Sequence, residues 1–73
     1  MNFTVIAIMY NIGDIIREKY VRGWNTTFKI ISKTTSLTEI LYTIQSIKLK
    51  HNVEDISEDT LNEKFYLVKS NKD

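Results

Sequence analysis

A chain of 73 residues without a single cysteine must hold itself together with one compact apolar core. At this size folding buries only about 60% of the surface the unfolded chain exposes, so small domains commonly add disulfides or a metal. Neither a disulfide framework nor a thiolate zinc site is open to this sequence. Packing must supply the stability, helped by a partner or by self-association. An apolar fraction of 42% is ordinary for a globular domain and argues against disorder of the whole chain. One domain is expected, and the lack of cysteine fits the cytoplasm.

Ten Lys/Arg stand against nine Asp/Glu, a formal net charge of +1. That balance gives no strong overall pull toward nucleic acid or membrane, and it excludes a strongly acidic DNA mimic. Proline is absent, and Gly13 and Gly23 are the two glycines. Isoleucine and threonine are plentiful, and β-branched residues favour strands. The apolar run Phe3–Ile8 follows no basic residue and is far too short to span a bilayer. Residues 1–9 are read as an extra strand or an N-terminal extension, with Met9-Tyr10-Asn11-Ile12-Gly13-Asp14 resembling a natural domain start.

From Gly13 to Tyr20 neither parity is cleanly apolar, which predicts an edge-like or strongly bent strand. Val21 to Thr26 reads as a loop. Thr27 to Lys33 predicts a second strand with Phe28 and Ile30 on one face and Lys29, Ile31 and Lys33 on the other. Thr34-Thr35-Ser36 reads as a polar turn. Leu37 to Lys50 supports two readings. As a helix, Leu37, Ile40, Leu41, Ile44 and Ile47 form an apolar stripe behind a Ser36/Glu39 capping-box pattern. As a strand, Ile40, Tyr42 and Ile44 alternate with Leu41, Thr43 and Gln45, and a bulge is needed near Gln45-Ser46. Ser57 to Leu61 predicts one helical turn with Ser57 as N-cap and acidic residues at its start. Phe65 to Val68 predicts a last strand, and residues 69–73 a flexible tail.

The order of these pieces resembles small SH3-like barrels of phages and mobile elements. Tyr10 to Ile16 looks like their opening strand, an apolar residue before Gly13-Asp14 and two after it. Phe28-Lys29-Ile30-Ile31 is similar to the second strand and Tyr42-Thr43-Ile44-Gln45-Ser46-Ile47 to the third. Ile56 to Leu61 looks like the end of the fourth strand and the short helical turn, and Phe65 to Val68 the closing strand. The resemblance implies a mostly-β, five-stranded SH3-like barrel over residues 10–68, and it favours a strand at 37–50; a helix there would give an α+β domain instead. Residues 1–8 have no place in the minimal barrel. The Ile, Lys, Asn and Tyr bias fits the AT-rich genomes of low-GC bacteria and their phages.

Trp24, Arg22 and Tyr20 cluster in the expected loop, and exposed aromatic and arginine side chains are typical binding anchors. Trp24 folded back over the barrel's end is the structural alternative. Arg17, Lys19, Lys29 and Lys33 stand near them with few acids and would suit phosphates, or simply keep edge strands solvated. The acidic stretch Glu54 to Glu63 lacks the spacing of a calcium loop, and His51 has no catalytic or metal company. The expectation is a non-enzymatic binding protein without cofactor, a phage or mobile-element accessory protein that occludes a host or phage protein. The alternatives are a nucleic-acid-binding barrel and a virion or oligomeric subunit that self-associates through residues 3–8.

Overall fold

Alternating burial builds the middle of the molecule. In the computed structural model, which describes residues 9–23 and 26–71, Phe28 and Ile30 are buried while Lys29 and Ile31 are exposed, and Tyr42, Ile44 and Ser46 are buried while Leu41 is exposed. A pleated strand sends successive side chains to opposite faces, so each segment has a core face and an outer face. Among the described residues the strands are β1 (Ile15–Glu18), β2 (Thr27–Thr35), β3 (Ile40–Ser46), β4 (Val53–Ser57) and β5 (Phe65–Lys69), with helix α1 (Glu58–Lys64) before the last. They form one antiparallel sheet in the order β4-β3-β2-β1-β5. Helix α1 contacts β3, β4 and β5 and so joins the two edges of the sheet. The mostly-β, barrel-like expectation with one short helix is what the chain adopts.

The core holds Tyr10, Ile16, Phe28, Ile30, Tyr42, Ile44, Leu61 and Phe65. Two edge-to-face ring pairs tie its ends, Tyr10 with Tyr42 at 6.0 Å and Phe28 with Phe65 at 5.7 Å between centroids. Ser57 caps α1 by accepting a hydrogen bond from the Thr60 amide, with Glu58 and Asp59 in the first turn where the helix dipole favours them.

Several local expectations are corrected. The segment from Gly13 is not an edge strand: β1 lies between β2 and β5. Its mixed parity reflects its neighbours, since β5 inserts Val68 between the residues opposite Ile15 and Ile16. The helical alternative for 37–50 fails, because β3 is paired on both sides and both Tyr42 and Ile44 reach the core. Leu37, which a helical stripe would bury, is fully exposed. The Ser36/Glu39 pattern closes a turn: the Ser36 hydroxyl accepts from the Thr38 and Glu39 amides. Thr34 and Thr35 belong to β2 rather than to that turn. The bulge expected near Gln45-Ser46 sits across the ladder, at Ile31, between the residues paired with Ile44 and Thr43. Ile47 and Leu49 need none, because β3 ends at Ser46.

The tail is also shorter than expected. Lys69 pairs with Ile15 inside β5. Asn71 donates its amide to Asp14 Oδ1 at 2.8 Å, while the Asn11 amide donates to Asp14 Oδ2 at 2.9 Å. Asp14 is buried, and its own carbonyl accepts from the Ile30 amide at 2.9 Å. Gly13 beside it has φ of 97°, a conformation that favours glycine. A Cβ there would meet Asn71 Nδ2 at 2.5 Å. Gly13→Ala is therefore expected to cost about 1–3 kcal/mol, read as a lowered thermal midpoint; an unchanged midpoint would contradict the strain.

Candidate functional site

Cross-strand partners lie on the same face of a sheet, so the pairing fixes which side chains share the outer surface. Ile15 pairs with Lys29 on one side and Lys69 on the other, and Lys29 pairs with Gln45. The adjacent outward position is Arg17, flanked by Thr27 and Tyr66. Two shallow depressions that share Ile15 and Lys29 open on this face, one lined also by Gly13, Lys69 and Asn71, the other by Gln45, Ile47 and Lys50. Gln45 Nε2 donates to the Lys50 carbonyl at 2.7 Å and fixes the turn that brings Lys50 there. Among the described residues no ion pair engages Arg17, Lys29, Lys50 or Lys69.

The loop after β1 is a second feature. Its base is held on both sides. The Lys19 amide donates to the Lys64 carbonyl at 2.8 Å, and Lys19 Nζ to the Asn62 carbonyl at 3.0 Å. On the return side the Glu18 amide donates to the Thr26 carbonyl, and the Thr26 hydroxyl to the Gly23 carbonyl. Beyond this base Tyr20 is 80% exposed and Val21 50%. Arg22 follows, also exposed.

The structure thus divides the seven residues singled out in the sequence. Arg17 and Lys29 share the outer face. Tyr20 and Arg22 are on the loop, and Lys19 anchors it. Lys33 leaves both groups. The bulge at Ile31 reverses the parity after it, so Lys33 pairs with Tyr42 and places its Nζ 5.6 Å from the centroid of that ring. Trp24 lies outside the described residues, as does the Phe3–Ile8 run. Lys50 and Lys69 were not legible as members of the face, because only the ladder and the turn after β3 bring them to it.

A buried polar cluster sits at one end of the core. The Tyr42 hydroxyl donates to Glu58 Oε2 at 2.9 Å and accepts from the Tyr10 amide at 3.2 Å. Burial, then the hydrogen bond to Glu58, pushes the Tyr42 phenol up to about 12. Burial also raises Tyr10, with the charges of Asp14 and Glu58 adding to it. A phenol shifted this way is poorly suited to act as base or nucleophile near neutral pH, so the cluster reads as structural. Among the described residues no group of His, Asp or Glu is placed to hold a metal, and no helix is long and apolar enough to cross a membrane.

Comparison with protein-family models, with curated proteins and with solved structures finds no match.

Proposed function

We propose that this chain is a small non-enzymatic binding protein, a phage or mobile-element accessory protein that acts in the host cytoplasm by covering a working surface of a host protein. The observation that carries the reading is the loop after β1. It presents Tyr20 and Val21 to solvent on a base pinned by backbone hydrogen bonds. Residues next to a pinned base lose less freedom on binding, and tyrosine and arginine are among the side chains most often found as interface anchors. The resemblance to stand-alone barrels of mobile elements supplies the setting.

The test is a pull-down from host lysate, followed by titration of the captured protein. Tyr20→Ala/Arg22→Ala is expected to weaken the complex tenfold or more, on the order of 2 kcal/mol for a lost anchor, with the thermal midpoint unchanged. Equal affinity in the variant would remove this loop from the interface.

A further inference from the structure

The sheet's outer face is far from neutral although the whole chain nearly is. Arg17, Lys29, Lys50 and Lys69 come from β1, β2, the turn after β3, and β5. Of the carboxylates in β4 and α1, Glu54, Asp55, Asp59 and Glu63 are exposed and Glu58 is engaged by the Tyr42 hydroxyl; Asp55, paired with Thr43 at the β4 edge, is the one that shares this face, against four cations. Asp14, which borders the cationic face in sequence, is buried and accepts hydrogen bonds from the Asn11 and Asn71 amides. Within the face the cations surround apolar and aromatic surface, chiefly Ile15, Ile47 (40% exposed) and Tyr66 (44% exposed).

From this arrangement we infer that the outer face binds the backbone of a single-stranded nucleic acid. Lys69 and Lys29 flank Ile15 on adjacent strands, so their backbones stand about 10 Å apart, twice the inter-strand spacing. Cations repeated across a sheet suit a polyanion with repeated charge better than a lone carboxylate. Tyr66, paired with Arg17, offers a ring on which an unpaired base stacks. A duplex hides its bases and is read by an element that projects into a groove, whereas this face carries only shallow depressions. The residues that line this face are not those of the Tyr20–Arg22 loop, and so the inference does not rest on the protein-binding proposal.

The test is fluorescence anisotropy with labelled oligo(dT) and oligo(U) of about 16 nucleotides, the upper site size of small single-strand-binding domains. With four phosphate contacts the log–log salt slope is expected near −2.8, so a fourfold rise in salt weakens binding about 50-fold. Lys29→Glu/Lys69→Glu is expected to flatten the slope by about 1.4. Single reversals separate position from net charge: Lys29→Glu weakens binding, whereas Lys33→Glu, of equal charge change, leaves the slope as it was. Tyr66→Ala weakens binding about fivefold or more. Thermal melts verify that each variant is folded. Absence of binding at low salt, or equal loss from Lys29→Glu and Lys33→Glu, overturns the inference. So does competition by poly-glutamate as effective per charge as oligo(U), which would point to an acidic protein surface.

Discussion

Asp14→Ala is expected to lower stability by about 3 kcal/mol or more, since hydrogen bonds to a charged group are each worth about 1.5–3 kcal/mol and the orphaned amides add their own cost. Both carboxylate oxygens are in use, one for the Asn11 amide and one for the Asn71 amide. The side chain is buried, so water does not readily replace it. A domain of this size has only about 4–11 kcal/mol in total, and the thermal midpoint should fall by roughly 12 °C or more. Asp14→Asn is expected to recover little, because its NH2 group would face one of the two amide donors. Chemical denaturation of both variants checks this. A loss below about 1 kcal/mol would show that the two amides find other acceptors.

The second large effect is alkaline. Tyr42 in the folded protein is held up to about 12, against an ordinary tyrosine value of 10.0. Its neutral form is the one the core accepts. The unfolded chain gives up this proton near pH 10, while the folded chain keeps it to about pH 12. The contribution is therefore fully present below pH 10 and is lost as pH rises through about 12, amounting to roughly 2–3 kcal/mol at most. Tyr10, raised in the same direction, adds to the loss. Tyr42→Phe should start less stable at neutral pH by about 1–3 kcal/mol, because the Tyr10 amide loses its acceptor and Glu58 its donor. Its further decline above pH 10 should be shallower than that of the parent. Urea unfolding of both proteins across this range, compared by difference, cancels the titration of the lysines. Parallel curves would place the alkaline sensitivity elsewhere.

What could be read in the sequence was what neighbouring residues decide among themselves. Ser57 followed by two acids is a helix start whatever surrounds it, and α1 begins where it must. Phe28 and Ile30 declare a core face by alternation alone. The Gly13-Asp14 pair was visible as the lead into the first strand. Its physical meaning, a glycine at positive φ followed by a carboxylate with two distant partners, was not. The misread places all depend on partners remote in the chain. Ser36 and Glu39 look like a capping box, yet they serve a turn because β3 gains more from pairing on both sides than the local helix pattern offers. Lys33 has the parity of Lys29 until the residue added at Ile31 reverses it. Lys69 looks like the start of a tail until β1 claims it. The candidate face suffered most, since half of its cations come from segments that only the register and the turn after β3 bring to Ile15.

The contact between Asp14 and Asn71 spans nearly the whole described chain, and it has a consequence for synthesis. Strand β1 is made well before its second neighbour, β5. While the ribosome is still extending the chain, one flank of β1 has no partner and Asp14 has only the Asn11 half of its bonds. Closure therefore waits for β5 and Asn71 to emerge. At an elongation rate of about 5–20 residues per second this means several seconds in which the nascent chain carries an unpaired strand edge. An insertion placed too close to Asn71 would therefore burden the step that closes the sheet.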